Sequence, residues 1–262
     1  MKKILIAGCT GKMGLEAVKT ILKTNDFRLY SCLGNKNYIN EDIGNLIGKG
    51  NIGITITNNL EKSLEDIDIV LDLTNVDAGY NIIIKSLKKN IPVVSGSTGF
   101  NKKQLDEFKS LSEEKKISCY IIPNFSIGVV LMTKFAKEAG KFFENVEIIE
   151  YHHENKKDYP SGTAIKTAEM LAENSKTYNH GRPEEIAKIE NCRGGNYFNI
   201  NIHSIRMPGF IATQEVLFGS IGEVLTIKHQ TINREAFMSG ILFCLRKAIN
   251  DNNFVYGMDN II

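Results

Sequence analysis

Ile4-Leu5-Ile6-Ala7-Gly8-Cys9-Thr10-Gly11-Lys12-Met13-Gly14 is the stretch that decides how this chain folds. Its four leading apolar residues do not alternate with polar ones, which suits a strand covered on both faces. Small residues follow at once. Met13, Ala17, Val18, Ile21 and Leu22 then recur at the spacing of one helix face over 12–24. Strand, glycine turn and helix in that order open a dinucleotide-binding unit. Small residues let the backbone approach a diphosphate, and the helix start offers N–H donors and a favourable dipole. The pattern is GxxGxxG rather than the stricter GxGxxG, so its place between strand and helix carries more weight than its spelling.

Outward from this stretch, strands are predicted over 27–33, 52–56, 68–73, 91–95 and 117–122, with helices over 78–89 and 102–115. Alternation of that kind predicts a doubly wound parallel sheet with right-handed crossovers. The texture changes near Pro123. A helix over 127–143, a strand over 146–153 and a helix over 163–173 precede strands over 197–206, 210–218 and 223–230. Successive strands with short turns predict a mixed or antiparallel sheet. A last amphipathic helix over 234–249 is expected to pack back on the first domain.

The fold class is therefore α/β: an N-terminal Rossmann-type doubly wound parallel sheet plus a C-terminal α+β domain with an open mixed sheet. Residues 1–125, completed by 234–262, are expected to bind a dinucleotide, and 126–233 to bind substrate and to oligomerise. A long half-apolar sheet needs covering, and self-association covers it.

Bulk properties narrow the function classes. The chain has 262 residues, 42% hydrophobic and 24% charged, with a formal net charge of +2. Nothing there points to nucleic acid or a membrane surface. No apolar run is long enough to cross a bilayer, and the apolar run after Met1-Lys2-Lys3 is too short for a secretory leader. Cys9, Cys32, Cys119, Cys192 and Cys244 show neither CxxC nor metal-ligand spacing, which suits free thiols in a cytoplasmic protein.

A parallel sheet binds ligands at the C-terminal ends of its strands. That places Gly8, Thr10, Gly11, Lys12 and Met13 at one edge with Leu73 and Thr74, with Gly96, Ser97 and Thr98, and with Pro123, Asn124 and Phe125. After the second strand, where an acid normally holds the adenosine ribose, the chain reads Leu33-Gly34-Asn35-Lys36-Asn37. Lys36 suits a 2′-phosphate, which leans toward NADPH or toward use of both NADPH and NADH; an exposed loop lysine is the plain alternative.

A second informative stretch is Glu150-Tyr151-His152-His153-Glu154-Asn155-Lys156-Lys157-Asp158-Tyr159-Pro160-Ser161-Gly162-Thr163-Ala164. On an extended strand His152 and His153 point to opposite faces. Histidine suits general acid work near neutral pH. Lys156 offers a fixed cation, and Ser161, Gly162 and Thr163 at a helix start can cradle a carboxylate. Two surface histidines ahead of a helix cap is the plain alternative. A metal site is a poorer reading, because His180, His203 and His229 lack ligand spacing.

On these residues the chain resembles the 4-hydroxy-tetrahydrodipicolinate (dihydrodipicolinate) reductase family of diaminopimelate and lysine biosynthesis. The resemblance runs through Gly8–Gly14, Gly96–Phe100, Pro123–Val129, Glu150–Ala164, His203–Arg206 and Arg234–Phe237. It implies NAD(P)H-dependent reduction of a cyclic imine dicarboxylate. It further implies His152 as general acid, Lys156 as second catalytic group, His153 as a substrate contact, and Ser161, Gly162 and Thr163 on a carboxylate. The loops at Gly96–Thr98 and Pro123–Phe125 would flank the nicotinamide, with Arg234 and Phe237 closing the site, in a homotetramer built through the second domain. Asn155 stands where many members carry a further histidine, Gly34 where an acidic ribose partner is frequent, and Tyr159 where a smaller residue is common. The rival readings are a thiol-dependent two-domain nicotinamide oxidoreductase and a non-catalytic NAD(P)-sensing regulator. The first needs an activated cysteine; the second leaves the stretch from Glu150 to Ala164 unexplained.

Overall fold

Seven parallel strands form the larger sheet of the computed structural model, which describes residues 1–174, 178, 186–190 and 192–262. The chain runs β1 (Lys2–Ala7), α1 (Lys12–Ile21), β2 (Phe27–Leu33), a one-turn α2 (Ile43–Leu46), β3 (Ile56–Thr57), a one-turn α3 (Leu60–Ser63), β4 (Ile69–Asp72), α4 (Val76–Lys88), β5 (Val93–Ser95), α5 (Lys102–Lys115) and β6 (Cys119–Ile121). There follow α6 (Ile127–Ala139), β7 (Asn145–His152), α7 (Gly162–Ala172), β8 (Gly195–Tyr197), β9 (Ile200–Arg206), β10 (Ala212–Ser220) and β11 (Glu223–Thr231). The last elements are α8 (Met238–Asn250) and β12 (Phe254–Tyr256). Two compact units result, Met1–Ser126 with Arg234–Ile262, and Ile127–Asn233.

In the first unit the strand order is β12-β6-β5-β4-β1-β2-β3, all parallel. Ile4, Leu5, Ile6 and Ala7 are all fully buried, as an unbroken apolar strand between two helix layers must be. Leu5, Val70, Val93 and Ile121 pack with Ile83 and Leu87 of α4 and Phe108 of α5. On α1, Gly14, Ala17, Val18 and Ile21 form the buried stripe. α8 packs on α1, β4, β5 and β6.

The second unit is a five-stranded sheet in the order β11-β10-β7-β9-β8, with β7 and β9 parallel and the other pairs antiparallel. One face, through Val146, Ile148, Ile202, Val216 and Phe218, packs on Ala164, Ala168 and Leu171 of α7 and Ala136 of α6. Among the described residues no helix is long and apolar enough to cross a membrane.

Three local expectations are corrected. Residues 52–56 alternate like a strand, yet only Ile56 and Thr57 join the sheet, with Thr55 making an isolated antiparallel bridge to Asp42. The amides of Ile52, Gly53 and Ile54 instead donate to the carboxylate of Asp42 at 2.8–3.1 Å, and Gly53 turns the chain at φ +80°. The strand expected over 197–206 is broken into β8 and β9 by Phe198 and Asn199, both left-handed (φ +52° and +57°). The helix at 234–249 begins as a 3-10 turn, Arg234–Phe237, before α8. Beyond α8, an unforeseen strand, β12, pairs with β6 and completes the sheet.

Candidate functional site

The C-terminal edge of the first sheet gathers one group of expected residues. Ala7, Asp72, Ser95 and Ile121 lie side by side in register, so the segments after them share an edge. Gly8 has φ +78°, and a Cβ there would lie 2.6 Å from Leu73 O and 3.2 Å from Thr74 Cγ2. A Cβ on Gly96 would lie 2.8 Å from the Phe125 ring and 3.2 Å from Leu73 Cδ2. Beneath them sits the fully buried Asp72. One of its oxygens accepts from Thr74 N (3.0 Å) and Thr74 Oγ1 (2.5 Å), the other from Ser95 Oγ (2.5 Å) and Ser97 Oγ (2.8 Å).

The start of α1 fits a dinucleotide. Gly11 is its N-cap and no side chain caps the first turn, so the amides of Lys12 and Met13 remain for a ligand. Gly11 and Lys12 are exposed. A Cβ on Gly14 would lie 2.1 Å from Gly8 O, so the turn tolerates no side chain there.

At the end of β2 the structure supplies a reason for the missing acid. A Cβ on Gly34 would lie 2.7 Å from Ile56 Cγ2 and 2.8 Å from Thr10 Cγ2. Thr10 fills that position, and its Oγ1 accepts from Asn35 N at 3.2 Å. Lys36 is exposed at the start of a 3-10 turn capped by Asn35. The turn holding the exposed Arg234 and half-buried Phe237 packs on α1.

In the second unit the other group gathers at the end of β7. Glu150 and His152 lie two apart on the strand and so share a face. Glu150 is fully buried. Its Oε2 lies 2.5 Å from His152 Nδ1 and accepts from Arg206 Nη1 at 2.8 Å; its Oε1 accepts from Arg206 Nη2 at 2.8 Å and from Ser161 N at 3.2 Å. Burial alone would push this carboxyl up, but hydrogen bonds from His152, Arg206 and Ser204 hold it down at about 2.

Ser161 caps α7, its hydroxyl accepting from Ala164 N at 3.2 Å. Its N–H and its cap are thus both engaged, which leaves the Gly162 and Thr163 amides at the helix start. A Cβ on Gly162 would meet nothing within 4 Å, so that side of the turn is open. Lys156 pairs with Asp158 at 2.7 and 2.8 Å, which holds the Asp158 carboxyl below its usual range. Arg206 Nη2 also donates to Asp158 O at 2.8 Å. His153 is exposed beyond the strand, and its carbonyl accepts from Lys156 N at 3.1 Å.

Sequence reasoning missed Glu150 and Arg206 as members of this cluster. The two-residue period from Glu150 to His152 was a readable signal. Arg206 comes close only through the β7–β9 register, where it pairs with His152.

The remaining candidates stand apart. His203 Nε2 lies 2.5 Å from Glu147 Oε2, and the His229 ring fills the space beside Gly128. His180 lies outside the described residues. Burial pushes the Cys119 thiol up, and that of Cys244 to about 12. Neither suits a thiolate nucleophile.

The cluster around His152 can deliver a proton and hold an anion; the edge around Gly8 can hold a nucleotide. Two family models bear on what the pair does. The one described as Dihydrodipicolinate reductase, N-terminus, matches residues 2–125, and the one described as Dihydrodipicolinate reductase, C-terminus, matches residues 128–262.

The chain belongs to the dihydrodipicolinate reductase family.

Two relatives within the family make the match quantitative. A 4-hydroxy-tetrahydrodipicolinate reductase of Lysinibacillus sphaericus is 43% identical over 263 residues, covering 99% of each chain. One from Listeria innocua is 42% identical over 262 residues, again covering 99% of each. The solved dihydrodipicolinate reductase from Paenisporosarcina sp. TG-14, with dipicolinate bound, superposes with a TM-score of 0.89 at 40% identity over 100% of both chains. This chain thus spans the family's reductases end to end.

Proposed function

We propose that the chain reduces the cyclic imine of 4-hydroxy-tetrahydrodipicolinate, or of dihydrodipicolinate, to tetrahydrodipicolinate in diaminopimelate and lysine biosynthesis, with NADPH or NADH. The observation that carries this reading is His152, backed by a buried carboxylate and followed by Lys156 and an open helix start, in a chain that matches such reductases from end to end. Dipicolinate is bound by the Paenisporosarcina relative, and a planar dicarboxylate of that class is the ligand proposed for this chain.

The division of labour follows from the two clusters. In the first unit the Lys12 and Met13 amides, with Gly8, Thr10 and Gly11, take the diphosphate. Lys36 takes a 2′-phosphate, and with Gly34 in place of an acid the ribose end favours NADPH or accepts both dinucleotides. Leu73, Thr74, Gly96, Ser97, Thr98, Pro123, Asn124 and Phe125 surround the nicotinamide, with Arg234 and Phe237 beside them. When bound, the reduced nicotinamide supplies the hydride.

In the second unit the Gly162 and Thr163 amides, Ser161 and His153 hold a substrate carboxylate at the positive end of α7. Lys156 offsets the negative charge that builds on the ring, where a fixed cation acts most strongly. His152 then gives its proton to the ring. The protein works in the cytoplasm as a homotetramer built through the second sheet, whose outer face carries Ile149, Leu217 and Val224 among Glu147, Glu215 and Lys228. Sedimentation equilibrium at the mass of four chains is expected; a monomer would contradict the tetramer.

The experiment couples the upstream synthase to this protein and follows loss of reduced-nicotinamide absorbance with each dinucleotide. His152→Gln and Lys156→Ala are each expected to lower kcat by roughly 10²-fold or more, the usual scale of acid–base help. Near-normal kcat in both variants defeats the assignment. Nucleotide binding without substrate-dependent absorbance loss would replace it with a nucleotide sensor.

A further inference from the structure

We propose that Glu150, clamped by Arg206, is a positioning residue for the reduction: it fixes the His152 ring with Nδ1–H turned into the protein and leaves Nε2 as the atom that gives up the proton. The proposal rests on the reading of His152 as the acid.

An ionised carboxylate offers about four lone-pair sites, and four N–H donors meet Glu150 beside the Ser204 hydrogen bond. These are His152 Nδ1, Ser161 N and the two ends of the Arg206 guanidinium, at 2.5 to 3.2 Å. Because Glu150 is held as an anion, it can only accept, so the hydrogen in the Glu150–His152 contact sits on Nδ1. Neutral His152 is then the Nδ1–H tautomer, with a bare lone pair on Nε2. The acid form carries hydrogens on both nitrogens, and only the Nε2 hydrogen is free to leave.

The four bonds end on three working parts. One sets the imidazole. One, through Ser161 N, sets the turn that opens α7. The guanidinium fork prevents the carboxylate from rotating, and its Nη2 reaches on to Asp158 O, in the loop whose carboxylate holds Lys156. The charged groups tied to this cluster are Glu150 on the ring's own strand, Arg206 on β9 and, through Arg206, the Asp158 loop with its Lys156 pair; the ring's partner on β10 is the uncharged Ala212. An ion pair buried only for stability can often be replaced by apolar packing without loss. One that locks an acid's tautomer cannot, because a wrong tautomer presents the wrong atom.

The test is a double-mutant cycle with Glu150→Gln and His152→Gln, in which glutamine keeps the size but presents an amide donor. Glu150→Gln alone is expected to lower kcat on the order of 10²-fold, and to change it by less than about threefold once His152 is already glutamine. Full multiplication of the two losses would show a general structural role and overturn the proposal while leaving the acid assignment intact. A normal kcat for His152→Gln alone would remove the acid assignment, and this proposal with it. A second measurement does not need the Glu150 variant to fold. In 15N-histidine-labelled native protein, the resonances lost in His152→Gln identify the ring, and neutral His152 is expected as the Nδ1–H tautomer. Finding the Nε2–H tautomer would overturn the proposal.

Discussion

Asp72 and Glu150 are both fully buried carboxylates, one near the end of β4 and the other near the end of β7, yet they are wired differently. The donors to Asp72 are hydroxyls and one amide, all uncharged. Two of the residues that hydrogen-bond Glu150, Arg206 and His152, can carry charge. The difference matches the proposed tasks. A nucleotide edge needs loops of fixed shape, which neutral hydrogen bonds provide. A proton donor needs a fixed ring and a nearby anion, and that anion in turn needs a cation to remain buried.

The largest expected effect separates the two sites by stability. Glu150→Ala strands the Arg206 guanidinium, whose Nε finds no partner among the described residues, and is expected to cost about 3–5 kcal/mol in urea unfolding. Asp72→Ala leaves hydroxyls that can turn to other acceptors and is expected to cost about 1–3 kcal/mol. Equal losses would erase the distinction.

Acid should sharpen it. Glu150 is held near 2 in the folded chain against an ordinary 4.5. A lowered folded value means that the stabilisation is complete above about pH 4.5 and fades as pH falls toward 2. The amount is roughly 3 kcal/mol. Wild type and Glu150→Gln should therefore differ most near pH 7 and converge on acidification. A constant gap would mean that Glu150 is not the anion described here.

The smallest effect falls on the nucleotide edge. Lys36→Glu is expected to lower the NADPH/NADH ratio of kcat/KM on the order of tenfold, about 1.4 kcal/mol, with an unchanged Tm because Lys36 is exposed. An unchanged ratio would take Lys36 out of cofactor choice.

The first sheet was legible because unbroken apolar runs such as Ile4–Ala7 mean the same thing wherever they occur in a parallel sheet. Local pattern failed where a distant polar group intervened. Ile52, Gly53 and Ile54 alternate correctly for a strand, but the Asp42 carboxylate captures their amides. β12 is three residues long and pairs with a strand more than a hundred positions earlier, so no window of sequence displays it. At the second cluster, His152, Lys156 and the helix start were readable from one stretch. Arg206 was not, because sheet register alone brings it to Glu150. Gly34 was readable only as a departure, until Thr10 and Ile56 were seen to fill the space.

The placement of β12 sets the order in which the molecule can be finished during synthesis. The second unit is one uninterrupted segment, Ile127–Asn233, and every strand of its sheet is synthesised before α8. The first unit has no such independence. Its edge strand beside β6 is Phe254–Tyr256, which follows the whole of the second unit, and a Cβ on Gly240 of α8 would lie 1.9 Å from the Phe125 carbonyl oxygen. The half of the protein that is translated first is therefore the half that closes last, and a nascent chain stalled before residue 254 would expose the open flank of β6 to the translation machinery.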